Sequence, residues 1–397
     1  MWLALAASLP GLAALGALLF TWMSVRQTGT ELRIAEEGQI TNRFNAAVAH
    51  LGSDSQDVRF GGIYALERIM QDSPRDQARV VSVLSAYVRT HAGVPKSGFA
   101  PMKESEKLSP PTDVEAVAQV LAGRPRGQDG RAKVDLAGAD LRGMELRHDA
   151  APPQGAPPVP RLFLDAARLN QADLRKATLA GVDLNAASCG RVNLANAYLL
   201  DVDLDRANMQ GADLTRARLK GTTSLVGSYL GGATLVEADL TSTNLRQVDL
   251  RNAKLTGADL TGADLSGATL AGADLRNSTL YGAHLSKANL IEAKLARADL
   301  RNAKLGASSL SRANLSRTRL WYADLGGANL SGADLRGADL LETKLTGANL
   351  TNADLSKAFL VSVDLSGAIL TGARFDGAVL SGSVRFDGAI GVPDGVR

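Results

Sequence analysis

Side chains able to do chemistry are few in this sequence, and their spacing argues against a reaction centre. A thiolate nucleophile would have to be Cys189, the one cysteine of the 397 residues. A lone cysteine also excludes an internal disulfide and any multi-thiolate zinc or iron–sulfur site. Imidazole could come from His50, His91, His148 or His284, but these lie far apart and none stands in an HExxH or CxxCH setting. Phosphate binding would call for a glycine-rich loop between a strand and a helix. There are 40 glycines, yet no Walker A loop, no GxGxxG and no GxSxG elbow. Asp and Asn are abundant but alternate with Arg, Lys, Ser and Thr instead of clustering. The chain therefore reads as a non-enzyme with no catalytic residue, cofactor or metal.

The residues that dominate the sequence do so by period. Leu164, Leu169, Leu174, Leu179 and Leu184 recur every five residues, and the series runs through Cys189 and Met209 to Leu219. A six-residue step leads to Leu225, and every fifth position from there to Leu380 is Leu except Phe375. None of these 44 central positions carries Asp, Glu, Lys or Arg, and the residue two before each is almost always small, as in Ala258, Ala263 and Ala333. A period of five fits neither the 3.6 of a helix nor the alternation of a strand. It fits a chain that turns one corner every five residues, so that four units close a square coil. Leu and the small residue point inward, and the other three face water. Coils stacked at the strand spacing of about 4.8 Å would give about 11 turns over roughly 50 Å. Cys189 then becomes a small buried hydrophobe, and His284, just before Leu285, a surface histidine. Gly257, Gly262, Gly267 and Gly272, two residues after a central Leu, serve the corners. With a filled interior, every outward surface is expected to be convex or flat.

The unit Ala-Asp/Asn-Leu-x-Gly over Leu164 to Leu380 resembles the pentapeptide-repeat family. That resemblance implies a mainly β fold, a right-handed quadrilateral β-helix. Val134-Asp135-Leu136-Ala137-Gly138-Ala139-Asp140-Leu141 looks like the family's opening repeats, set apart by an insertion, Arg147 to Arg161, that holds five prolines. Upstream, Leu51 to Asp54 and Val58 to Ile69 look like the module that membrane-associated bacterial members carry beside their anchor.

The elements before the repeat are expected to be helical. Met1 to Val25 has no charged side chain and 19 apolar residues of 25, which predicts a transmembrane helix with Trp2 and Trp22 at its ends. Arg26 and Arg33 follow the span, so the positive-inside rule puts the remainder in the cytoplasm as a single-pass membrane protein. Residues 26–92 read as a juxtamembrane helix plus a helical hairpin broken at Ser73-Pro74, and residues 93–130 as a linker with a short helix from Val114 to Leu121. Residues 131–160 hold the early repeats and the proline-rich insertion, 161–390 the β-helix, and 391–397 a tail.

Hydrophobic residues make up 45% and charged residues 21%, which places the chain among folded proteins. Aromatics are scarce (Phe 8, Tyr 6, Trp 3), so those that face water stand out. Four five-residue units per turn bring residues 20 apart into one column. The column after the central Leu runs Tyr281, Arg301, Trp321, Leu341, Val361, with Tyr322 beside Trp321, Phe359 nearby, and Arg317, Arg319 and Glu342 at the rim. This stripe is expected to bind a protein partner or a second copy of the chain, as a homodimer, and residues 1–25 the lipid bilayer. The alternative is drawn from family members that mimic DNA and bind DNA gyrase. The 44 basic against 41 acidic residues, a net charge of +3, weigh against that mimicry and against nucleic-acid binding alike.

Overall fold

The computed structural model describes residues 9–93, 109–147 and 162–394, with side chains from residue 14 onward. The chain divides into two compact units, Met1–Val80 and Val81–Arg397. In the first, α1 (Leu9–Leu51) is one helix of 43 residues, so the two helices expected over 1–50 are continuous. Among the described residues no helix is long and apolar enough to cross a membrane. The expected span over residues 1–25 is thus not found. Residues 1–8 of it lie outside the described residues, and past Val25 the helix turns charged with Arg26, Glu31 and Arg33. Leu18, Phe20, Trp22 and Met23 are nonetheless exposed.

Helix α2 (Gln56–Asp72) packs on the end of α1 through buried Ile63, Leu66, Ile69 and Met70 against Ala47 and Leu51. The approach requires a glycine: a Cβ on Gly62 would stand 2.8 Å from the Ala47 carbonyl oxygen. Arg75 to Glu37 (2.6 Å) and Arg43 to Asp72 (3.5 Å) tie the exposed edge.

The second unit is the β-solenoid expected from the five-residue period. Parallel bridges join residues 20 apart, as in Asp274 to Lys294 and Thr279 to Asp299, so four units close each coil. Central leucines and the small residues two before them are buried, as at Leu290, Leu295, Ala293 and Ala298. Within one unit nearly every backbone group is accounted for. Leu295 and Arg297 donate to Asn314 and Ser316 of the next coil, Asp299 donates to Ser278 of the previous one, and Ala298 closes the corner onto Leu295. The corner is a turn whose third residue has positive φ, at Gly327 (63°) and equally at Arg297 (62°) or Tyr322 (58°). Sequence reasoning assigned this position to glycine; 26 non-glycine residues among those described hold positive φ, nearly all of them at such corners.

Departures from the period are absorbed locally. The step before Leu225 raises the offset to 21, as in Asp203 to Ser224, and the offset then returns to 20. A second such step, not read from the sequence, follows Leu380. Asp364 bridges Arg385 and Ile369 bridges Ile390, which makes Phe386 one more central residue beyond the series that ends at Leu380. The early repeats stack on the main series despite the insertion, whose residues 148–161 lie outside those described. Asp135 bridges Arg168, and β1 (Glu145–Arg147) pairs with β3 (Thr178–Ala180) in parallel. β2 (Leu162–Phe163) pairs likewise with β4 (Val182–Asp183), and the ladder continues through β5 (Tyr198–Leu200) and β6 (Arg218–Lys220). Near the other end β7 (Phe359–Val361) pairs with β8 (Val379–Ser381).

The first coil is covered. From α3 (Gln77–His91), Ser85 accepts the Asp135 N–H and Arg89 donates to the Asp135 carbonyl, while the Ala92 carbonyl takes the Asp140 N–H. Helix α4 (Thr112–Ala122) lies against β1 and β2, and its Asp113 accepts the Tyr87 hydroxyl at 2.6 Å. Arg124, buried, pairs with Asp129 at 2.8 Å and donates to the carbonyls of Leu121 and Phe163.

This layout yields a comparison of neighbours. Leu290→Asp should cost about 3–5 kcal/mol, because it buries an unpaired carboxylate where no repacking is available. Asn289→Lys should cost about 1 kcal/mol, because Asn289 accepts the Ile291 N–H at 3.1 Å and lysine cannot. Thermal melts of the two variants check both figures, and equal losses would refute the inward and outward assignment.

Candidate interaction surface

One face of the solenoid is built on Leu280, Leu300, Leu320, Leu340 and Leu360, all fully buried. Its outward ladder runs Thr279, Asp299, Arg319, Asp339, Phe359, one residue per coil. The corner beyond it carries the predicted stripe, held in register by Gly282, Asn302, Tyr322 and Glu342, whose N–H groups donate to the carbonyls of Arg301, Trp321, Leu341 and Val361. The seven residues singled out by sequence therefore do come together. They differ in how much they show. Tyr281 (43%), Tyr322 (50%) and Phe359 (48%) are exposed, whereas Arg301, Trp321, Leu341 and Val361 are half-buried.

The stripe is a stack more than an apolar patch. The Arg301 guanidinium lies 5.6 Å from the Tyr281 ring centroid and 5.4 Å from that of Trp321, sandwiched between them. Two bonds to Asp299, at 2.8 and 2.7 Å, fix it there, and Arg319 approaches the same carboxylate at 3.6 Å. The Trp321 indole nitrogen is buried without a hydrogen-bond partner, which leaves one donor of the stack unsatisfied. Exposed apolar side chains are not confined to this face: Tyr229, Ile291 and Ile369 stand on the opposite one.

Asp299 belongs to a device that sequence reasoning missed. In each unit the N–H of the residue after the central Leu is the one left over by the coil-to-coil bonds, and in many units an Asp or Asn just before that Leu accepts it. Ser316 donates to Asn314 (3.0 Å), Gly326 to Asp324 (3.0 Å) and Thr351 to Asn349 (3.0 Å) in this way. Where the unit reads Asp-Leu-Arg, the arginine side chain doubles back on the same carboxylate: Arg251 on Asp249, Arg276 on Asp274 and Arg336 on Asp334. The recurring tripeptide was the available signal. Hydrogen bonds from these arginines, working against burial, hold the carboxyls of Asp249, Asp274 and Asp334 below the usual range. At Asp299 burial pushes upward, but the Arg301 bonds and the Arg301 and Arg319 charges outweigh it, and the net shift is down.

Other candidates keep bland roles. Cys189 is buried in the stack, and burial alone pushes its thiol up to about 12, so it has no thiolate character near neutrality. His284 sits half-buried in the outward ladder between Asp264 and Lys304. No group of metal-ligating side chains occurs among the described residues. The expectation of flat or convex outer surfaces needs correction. Where large and small residues alternate along a corner, a cavity of about 580 Å³ opens, lined by Arg276, Arg297, Arg317, Arg336 and Lys357 with small residues between.

A family model described as pentapeptide repeats matches residues 183–221, 223–306 and 308–382 in overlapping copies. HetL, a pentapeptide repeat protein involved in heterocyst differentiation regulation from the cyanobacterium Nostoc sp. strain PCC 7120, is 31% identical over 64% of this chain and 90% of its own, with a TM-score of 0.28. A pentapeptide repeat protein from the Arabidopsis thaliana thylakoid lumen is 36% identical over 26% of this chain and 68% of its own, with a TM-score of 0.20. QnrB1, a plasmid-mediated fluoroquinolone resistance protein, is 21% identical over 51% of this chain and 89% of its own, with a TM-score of 0.34. No match is found among curated proteins.

The depressed carboxyl groups set a pH dependence. A carboxylate held below its ordinary value of about 3.9 stabilises the fold above that pH, and the contribution is lost as pH falls through the folded value. The melting temperature should stay level from about pH 7 to 5 and drop below about pH 4. Changing Asp249, Asp274, Asp299 and Asp334 together to Asn keeps the backbone acceptor and should flatten that drop, as read by circular dichroism.

Proposed function

Since the chain belongs to the pentapeptide-repeat family, we propose that it is a non-enzymatic scaffold that binds a protein partner through the outer face of its solenoid, with Tyr281, Arg301, Trp321, Tyr322, Leu341, Phe359 and Val361 forming the contact. The observation that carries this reading is the Tyr281–Arg301–Trp321 stack. Aromatic and arginine side chains are the residue types that dominate binding hot spots, and here they are already ordered by stacking and by Asp299, so docking forfeits little side-chain freedom.

Mimicry of DNA towards gyrase is the weaker reading. It needs a surface that copies a phosphate backbone, and this surface spends many aspartates on arginine clamps and carries a cationic groove.

The full-length protein with Trp321→Ser and Leu341→Ser should lose co-purification of its partner, or self-association in sedimentation velocity, while it stays folded at a stability cost of about 1–3 kcal/mol for two half-buried side chains. Binding that persists in a folded double variant sinks the assignment, and recovery of gyrase as the bound protein favours mimicry instead.

We also propose attachment to a bilayer through residues 1–25, with the solenoid on the cytoplasmic side. The support is the uncharged run itself and the exposed Leu18, Leu19, Phe20 and Met23 of α1. Full-length protein should sediment with membranes and resist carbonate, and deletion of residues 1–25 should release it; a soluble full-length protein would overturn this.

A further inference from the structure

We propose that the corner lined by residues 276 to 357 is a binding site for an extended acidic segment of a protein partner, lying along the stack of coils. The inference rests on the reading of the solenoid as a protein-binding surface, and it names a second contact and its chemistry.

The corner climbs five coils in strict register. Asn277, Arg297, Arg317 and Gly337 donate their N–H groups to the carbonyls of Ala296, Ser316, Arg336 and Ser356. Arg297, Arg317 and Lys357 all occupy the left-handed corner position, with φ of 62°, 56° and 60°. Gly337 omits a side chain from the same column, and Ala296, Ser316 and Ser356 keep the adjacent column low, which hollows out the 580 Å³ cavity. At about 4.8 Å per coil the trough is roughly 19 Å long, room for about six extended residues.

Its charge is unbalanced in a way the sequence total conceals. Arg276 and Arg336 are held by Asp274 and Asp334 at 2.6 and 2.8 Å. Arg297, Arg317 and Lys357 make no ion pair among the described residues, and no carboxylate lines the cavity. Three uncompensated cations thus stand along one line at intervals of about 5 and 10 Å, each within about a screening length of the next at about 0.1 M salt. Carboxylates laid between them would relieve that repulsion.

The shape of the charge selects among anions. A bound phosphate is usually cradled by several convergent free backbone N–H groups, and here the amides of residues 277, 297, 317 and 337 are spent on the next coil and those of 276, 316, 336 and 356 on the side chain two residues back, which leaves no convergent set. No aromatic residue lines the trough, so a nucleic-acid strand would find no base-stacking platform. The ladder beside the trough includes Asp299 and Asp339, which would repel a polymer charged on every unit. A peptide can keep its acids on one edge. The face also ends, four residues along the chain, at the Arg301 and Trp321 corner. A segment with carboxylates in the trough can therefore lay apolar side chains against Phe359 and Trp321, a distance of at most about 14 Å.

The test uses the full chain and a peptide of about eight residues alternating Glu and Ser, labelled with a neutral dye and followed by fluorescence anisotropy at low salt. The Glu peptide should bind and its Gln counterpart should not. Changing Arg297, Arg317 and Lys357 together to Gln should weaken binding by about tenfold or more. Gln already occupies this corner conformation at Gln171 and Gln247, so the fold should persist, and Arg317→Gln alone should show a smaller loss in the same direction. The Trp321→Ser, Leu341→Ser protein should still bind this peptide, so a failure of the aromatic stripe remains separable from a failure of the trough. Equal binding of the Glu and Gln peptides, no loss in folded charge variants, or tighter binding of an oligothymidylate or tripolyphosphate of equal charge would overturn the proposal.

Discussion

Every feature of the solenoid depends on one backbone event, a left-handed residue two places after each central leucine. That residue turns the chain through a corner, lets the next small residue donate back to the leucine carbonyl, and leaves the other amides, except the one just after the leucine, aimed at the coils above and below. Glycine adopts the conformation freely, whereas another residue pays about 1–2 kcal/mol. The many non-glycine corners, Tyr322, Arg297 and Arg317 among them, are strained places kept by the hydrogen bonds on either side. Several of them are the residues that give the surface its character, so surface chemistry here is bought with backbone strain.

Register then decides what the surface can do. Because each coil repeats the one below at a fixed height, a side chain meets its counterpart 20 residues away and a short-range partner two residues away. The two-residue relation builds the Asp-Leu-Arg clamps. The 20-residue relation builds the Tyr281–Arg301–Trp321 stack and the row of Arg297, Arg317 and Lys357. A near-neutral composition can thus carry a neutralised face and an uncompensated corner side by side.

The inward half of this design was legible in the sequence, because a leucine at every fifth place admits few geometries and the absence of charge at those places confirms the direction. The columns of surface residues followed by arithmetic. What did not follow depended on context the period lacks. The clamps required noticing which amide each unit leaves unpaired. The trough depends on side-chain sizes in neighbouring coils and on which arginines are already engaged. The repeat around Phe386 was hidden by a six-residue step combined with a change from leucine, and the docking of the early repeats was hidden by an insertion whose length carries no phase. The single helix from Leu9 to Leu51 was divided in the reading because its composition changes at Arg26 while its backbone does not.

The two ends of the coil stack are finished differently. Helices α3 and α4 cover the first coil and absorb its unpaired groups, while at the far end Phe375, Leu380 and Phe386 point inward yet stay only half-buried. Coils interact only with their neighbours, so among the described coils these half-buried last ones are where opening begins, and each coil that opens bares the next. Amide protection should then be graded along the chain, lowest near residue 390 and rising toward the helices. The Trp321 stack lies only a few coils from that fraying end, so its order is coupled to whatever steadies the last turns.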